Sequence, residues 1–212
     1  DIRWLQMEKW DACGGAATEE LCRGESAFVG IDLAGTKDIA AVVHYFPESG
    51  MIIPRLYVPE GQAAERERRD GVPYVTWGRQ GLVRLTPGNV VDYEIIRRDL
   101  NADNENWRVV QVGIDRWNHT QITTQLEGDG FEVVPFGQGF RDMSGPMKQA
   151  EILMLQGKLA HGGNEAMRWM ASNVAAEMDA AGNIKPSKKL STEKIDGMVA
   201  LIIAVGCAWA TD

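Results

Sequence analysis

Residues 29–43 read Val29-Gly30-Ile31-Asp32-Leu33-Ala34-Gly35-Thr36-Lys37-Asp38-Ile39-Ala40-Ala41-Val42-Val43. An apolar run ends in an aspartate, small residues follow, and a second aspartate opens another apolar run. The pattern predicts strand, tight turn, strand, with carboxylates at the bend. Two chemistries use such a bend. Acidic groups at strand ends can hold metal ions beside a phosphodiester, and a small-residue turn can clamp the phosphates of a nucleotide. The stretch alone leaves both open.

Three apolar runs rich in β-branched residues surround this bend: Phe28–Asp32, Asp38–Phe46 and Met51–Val58. Their links, Leu33–Lys37 and Pro47–Gly50, are too short for a parallel crossover, which needs a dozen or more residues. The runs are therefore expected to form an antiparallel meander. Gly61–Asp70 reads as a charged helix, and Tyr74–Thr86 as irregular chain with short strands. Val90–Asn101 carries Val91, Ile95, Ile96 and Leu100 on a helical stripe. Val109–Asp115 is a buried strand, again ending in Asp. Thr120–Leu126 reads as a helix, Phe131–Phe136 as a strand and Pro146–Leu159 as a helix. Asn173–Lys189 is a hairpin turning at Ala181-Gly182-Asn183. Thr192–Trp209 is a closing helix with Ile195, Val199, Ile202, Ile203 and Gly206 inward. The order implies an α/β fold: a mixed sheet of three antiparallel and then two parallel strands, flanked by helices, with an extra β-hairpin. Residues 1–26, with Trp4, Leu5, Met7 and Trp10, stand apart as a linker or docking segment of an upstream domain, and residues 27–212 form the domain proper.

The bulk numbers fit this plan. A chain of 212 residues, 44% hydrophobic and 25% charged, suffices for one sizeable core. No apolar run is long enough to span a membrane, and no signal pattern opens the chain. A start at Asp1 rather than Met is expected of a fragment. Cys13, Cys22 and Cys207 are odd in number and lack metal spacing, as reduced thiols of a cytosolic protein would. The net charge of −8 is unfavourable to nucleic-acid binding unless bound cations offset an acidic cluster.

Asp32 and Asp115 end apolar runs, and they meet if the fourth strand lies beside and parallel to the first. Asp196 lies in the first turn of the closing helix, where the helix N-terminus favours a carboxylate and Ser191 or Thr192 can cap. Such a trio suits two-metal phosphodiester hydrolysis, in which ions about 3.5–4 Å apart activate water and stabilise the leaving oxygen. Asp32 is the candidate bridge, Asp115 and Asp196 flank it, and Asp38 is a candidate fourth ligand. Mg²⁺ or Mn²⁺ suits such an oxygen-rich site. Each aspartate alone reads as well as a turn former or a helix-dipole partner; their convergence on one sheet edge favours the metal reading.

The motif Gly30–Lys37 also resembles the first phosphate loop of actin-like sugar kinases, which reads close to GIDLGGTK. That fold needs two domains and a second glycine-rich phosphate motif, and neither is evident. The downstream half resembles a different family, the large terminase subunit of tailed bacteriophages, in its C-terminal nuclease domain. The stretches that carry the resemblance are Val112–Asn118 (VGIDRWN), Val134–Phe140 (VPFGQGF), Met143–Pro146 (MSGP), His161–Asn164 (HGGN), Arg168-Trp169, Ser172–Val174 (SNV), Gly182–Pro186 (GNIKP) and Ser191–Ala200 (STEKIDGMVA). The resemblance runs from about Gly30 to the C-terminus. It implies a ribonuclease H-like fold and a metal-dependent DNA endonuclease that cuts concatemeric DNA during packaging. It also implies that Asp32, Asp115 and Asp196 are the three metal-binding acids, with Asp38 an additional one. The implied partners are double-stranded DNA, an upstream ATPase domain, a small terminase subunit and a portal protein, in the cytoplasm of an infected bacterium. No G-x-x-x-x-G-K-[ST] loop occurs, so the ATPase motor is expected outside this chain. A non-catalytic packaging module that docks to a portal is the third reading.

Lys185, Lys188, Lys189 and Lys194 cluster between the hairpin and Asp196, as candidates for steering a DNA backbone or as an ordinary solvated hairpin. Arg66, Arg68 and Arg69 alternate with acids and read as surface ion pairs. Trp117 reads as a wall of the site or as core. His119 reads as a cap or surface residue, and His44 and His161 show no metal spacing. Gln138 and Ser144 are candidate phosphate contacts or simply parts of a turn.

Overall fold

The structure, a computed structural model, describes residues 3–33, 38–115 and 119–211. Ala34–Lys37 and Arg116–Asn118 lie outside the described residues, and with them the phosphate-clamp and Trp117 readings.

Two short helices, α1 (Met7–Asp11) and α2 (Glu19–Cys22), precede the strands β1 (Ser26–Leu33), β2 (Ala40–Tyr45) and β3 (Ile52–Pro59). Helices α3 (Glu60–Asp70) and α4 (Tyr74–Arg79) lead to β4 (Arg84–Thr86). Then follow α5 (Tyr93–Asn106), β5 (Arg108–Asp115), α6 (Thr120–Gly128), β6 (Val133–Phe136), α7 (Phe140–Leu155) and α8 (Glu165–Asn173). The hairpin β7 (Ala175–Met178) and β8 (Ile184–Ser187) precedes α9 (Asp196–Thr211).

Six strands form one sheet in the order β4-β3-β2-β1-β5-β6, and β7 pairs with β8 separately. β1, β2 and β3 are the expected antiparallel meander. β5 lies parallel to β1 and β6 parallel to β5, as expected for helix-linked strands. The stretch expected to be irregular with short strands holds the helix α4 and one short strand, β4, which pairs parallel to β3 and adds a sixth strand at the far edge of the sheet.

Alternation along β1 sorts its side chains onto two faces. Val29, Ile31 and Leu33 pack with Ile96 and Leu100 of α5 and Ile122 and Leu126 of α6. Phe28 faces the other way, into the larger core with α9, α7 and α8. Every residue of α9 from Asp196 to Cys207 is buried, because the helix is covered by the sheet on one side and by α7 and α8 on the other. Close approach of α9 needs room. A Cβ at Gly30 would overlap the Ala200 carbonyl oxygen, and one at Gly113 would lie 2.6 Å from Ile203 Cγ2 and 2.7 Å from Cys207 Sγ.

Two expectations are corrected by packing, and a third observation bears on the N-terminal segment. Helix α7 begins six residues before Pro146 and carries that proline inside, although proline favours a helix's first turn. The Pro146 ring packs against α9 at Gly206, and this contact outweighs the local preference. Helix α9 begins at Asp196 rather than Thr192. Ser191 and Thr192 do not cap it. The Ser191 hydroxyl accepts from Ala175 N at 3.0 Å and donates to the Ser187 carbonyl, while Thr192 bonds Asn173. Residues 3–26, finally, pack into the domain. Leu5, Trp10, Cys13 and Cys22 are buried, and Trp10 stacks on His161 with ring centroids 4.3 Å apart. Packing therefore draws no boundary at residue 27.

Candidate active site

The site forms where β1, β5 and β6 end and α9 begins. The register of β1 on β5 runs Val29↔Val112, Gly30↔Gly113 and Ile31↔Ile114. The same tetrapeptide, Val-Gly-Ile-Asp, thus lies in step on two adjacent parallel strands, and Asp32 and Asp115 come next in each. Asp32 is 1% exposed and Asp115 is half-buried. Helix α9, seated over Gly30, brings Asp196 to the same edge, where it is 2% exposed.

Two nearly inaccessible carboxylates need compensating charge. Lys188, just past β8, supplies it. Its Nζ donates to Asp32 Oδ2 at 3.0 Å and to Asp196 Oδ1 at 3.4 Å. Gln138, which follows β6, donates to Asp32 Oδ1 at 3.3 Å. Burial first, and then the Asp32 carboxylate, push the Asp196 pKa up to about 7, against the pull of Lys188. Burial alone would lower the Lys188 pKa, but Asp32 and Asp196 outweigh it and hold the ammonium above its usual value.

Asp38 adjoins this pair. It lines a cavity of about 270 Å³ with Lys188, Lys194 and Asp196. Its Oδ2 accepts from Lys194 at 2.5 Å, and its Oδ1 from Arg66 at 3.2 Å and from the Ile39 amide at 2.9 Å. Burial would raise its pKa; these donors hold it below the ordinary carboxylate value. A larger cavity of about 680 Å³ lies between residues 3–9 and the end of α7, and no predicted site residue lines it.

The predicted residues thus reach one edge but are not all drawn together. Asp32 and Asp196 share Lys188, Asp38 is engaged with Lys194 and Arg66, and Asp115 ends the neighbouring strand. Among the described residues, no three histidine, cysteine, aspartate or glutamate side chains converge tightly enough to hold a metal ion in this conformation. The Lys188 ammonium stands between two buried carboxylates as a cation would, so the donor set suits a hard cation.

The other lysines differ. Lys185 lies 3.8 Å from Glu177 and 4.9 Å from the centre of the Phe140 ring. Lys189 is exposed. Gln138 contacts an acid rather than open solvent, and Ser144 accepts from the Ile184 amide, which fastens the hairpin to α7. Arg66 is not a surface ion-pair residue: its side chain is 12% exposed and turned onto Asp38. Its alternating-charge context gave no signal of this, because only the return of α3 across the sheet end brings it there. His161 is spent on structure; it accepts from Gly163 N, so its Nε2–H donates to the Trp10 carbonyl at 2.7 Å.

Comparison with known proteins identifies the family. The family model for the terminase large subunit, endonuclease domain, matches residues 1–212. The large terminase subunit of Enterobacteria phage HK97 is 33% identical over 210 residues, covering 97% of this chain and 41% of that protein. The crystal structure of the HK97 large terminase superposes with a TM-score of 0.88 at 32% identity, covering 96% of this chain and 43% of that one. The large terminase nuclease of thermophilic phage G20c, solved with bound magnesium, shares the fold at a TM-score of 0.62 and 14% identity, covering 94% and 95% of the two chains. The chain spans less than half the length of its HK97 relative. With its whole length matched, the chain belongs to the terminase large subunit endonuclease domain family.

Proposed function

We propose that this domain hydrolyses DNA phosphodiester bonds as the endonuclease of a packaging terminase, with Mg²⁺ or Mn²⁺ held by Asp32, Asp115 and Asp196 and assisted by Asp38. The observation that carries this reading is the pair of buried carboxylates, Asp32 and Asp196, delivered by β1 and α9 to one cation between them. Two divalent ions, when bound, supply the lowered pKa of a water nucleophile and the charge that stabilises a leaving oxygen.

This chain's own residues do the rest. Gln138 orients Asp32 through its amide. The rigid seat of α9 on β1 fixes the Asp32–Asp196 spacing. Lys188, Lys189 and Lys194 lie on the connection between β8 and α9, Lys185 lies within β8, and the four are the proposed contacts to the phosphate backbone. Such contacts position a duplex without reading its bases, so sequence preference is weak. The substrate in this reading is double-stranded DNA, presented by an ATPase motor domain with a small terminase subunit and a portal protein.

The test is plasmid cleavage by this chain with Mn²⁺. Nicking or linearisation that Asp32→Ala abolishes supports the proposal. Absence of cleavage by the wild-type chain, with tight binding of ATP instead, would favour a nucleotide-binding fold.

A further inference from the structure

Lys188 holds an unusual position, with one ammonium within hydrogen-bonding distance of two carboxylates that are 1% and 2% exposed. The two acids sit on tightly held elements. Asp32 lies in a strand paired on both sides, and Asp196 opens a helix packed without clearance over Gly30. The lysine does not. Its side chain is 42% exposed, on the connection between β8 and α9, where Lys189 and Leu190 are exposed as well. A cation on a flexible four-carbon stem therefore neutralises a fixed pair of anions.

We infer that Lys188 is the resident counter-ion of the metal-free site, that its ammonium and a divalent cation occupy the Asp32–Asp196 position alternately, and that metal loading releases Lys188 toward the phosphate backbone of DNA. This rests on the nuclease reading and adds a latch to it. The electrostatics require exclusion. An ammonium 3.0 and 3.4 Å from the two carboxylates fills the space in which a hard ion would make much shorter oxygen contacts, and two cations there would repel. The exchange also orders events. The site keeps its carboxylates neutralised before metal arrives, and afterwards it presents a free cation beside them, where a DNA phosphate must lie. Lys194 on Asp38 repeats the arrangement from the other end of the same connection.

The wild-type chain tests this without any variant. Reductive methylation followed by peptide mass spectrometry reads the reactivity of each lysine amine. Lys188 is expected to label slowly in chelator and several-fold faster in saturating Mn²⁺, with the neighbouring Lys189 unchanged as the internal standard. In calorimetry, Lys188→Met, which keeps the apolar stem, is expected to bind Mn²⁺ about tenfold more tightly than wild type and to melt lower than wild type in chelator. Equal labelling of Lys188 with and without Mn²⁺ would overturn the latch, as would unchanged or weaker Mn²⁺ affinity in Lys188→Met. Mn²⁺ binding that Asp32→Asn abolishes and Lys188→Met leaves unaltered would overturn the latch alone. No Mn²⁺ binding by wild type would overturn the nuclease reading with it.

Discussion

Gly30 and Gly113 lie opposite one another on adjacent parallel strands, and together they form the floor on which α9 rests. The relationship places the proposed site, because an Asp lies two residues beyond each glycine, Asp32 next to last in β1 and Asp115 last in β5, and Asp196 is the first residue of α9. A side chain at either glycine must lift the helix.

Gly30→Ala is accordingly expected to destabilise the domain by about 3 kcal/mol, at the upper end for overpacking, since the obstacle is α9 backbone rather than a mobile side chain. Urea unfolding measures this. A cost within ~0.5 kcal/mol of zero would mean that α9 is not seated as described.

Gln138→Ala removes the amide that holds Asp32 Oδ1. Loss of a partner that orients a metal-binding carboxylate typically costs about 10–100-fold in affinity or activity. Mn²⁺-dependent plasmid cleavage is expected to fall by about tenfold with the melting temperature unchanged. Equal cleavage rates would remove Gln138 from the site.

A buried network at the opposite side of the sheet predicts acid sensitivity. Asp103 Oδ1 accepts from Arg55 at 2.8 Å, and its Oδ2 lies 3.1 Å from His44 Nε2. Trp107 Nε1–H donates to His44 Nδ1, and Glu19 meets Arg55. Burial would raise the Asp103 pKa, but His44 and Arg55 beside it prevail and bring it down to about 2. A carboxyl whose folded pKa is depressed stabilises fully above its unfolded value and loses that contribution as pH falls through the folded one. Roughly 2 kcal/mol should therefore disappear between about pH 4 and pH 2. Urea midpoints of wild type and Asp103→Asn across this range are expected to converge as the pH drops. Parallel curves would assign the acid response to other groups.

Trp10→Ala tests whether the N-terminal segment belongs to the domain. Trp10 is 1% exposed and stacked on His161. Truncating a buried aromatic of this size costs about 3–5 kcal/mol. A loss below about 1 kcal/mol in chemical denaturation would restore residues 1–26 to the status of a loosely attached linker.

Much of this molecule was legible in its chain. Short links between β-branched runs forced the antiparallel meander, because a parallel return cannot be made in five residues. The apolar runs that carry Asp32 and Asp115 pointed to adjacent ends of one sheet, where the proposed site lies, and Asp196 was recognisable at a helix start. Local grammar failed at Pro146, where contact with α9 overrode the preference for a helix start, and at Ser191 and Thr192, whose hydroxyls serve the hairpin and α8.

What the sequence determined by itself was the core strands β1, β2, β3, β5 and β6, the rough course of α5, α6, α7 and α9, and which of their ends carry acid, since periodicity and loop length act over a few residues at a time. Only the tertiary structure decided the charge partners: Lys188 on Asp32 and Asp196, Gln138 on Asp32, Arg66 on Asp38. Such pairings join residues up to 156 positions apart, and long polar side chains take the nearest countercharge that the packed helices and strands leave within reach, which no local pattern encodes.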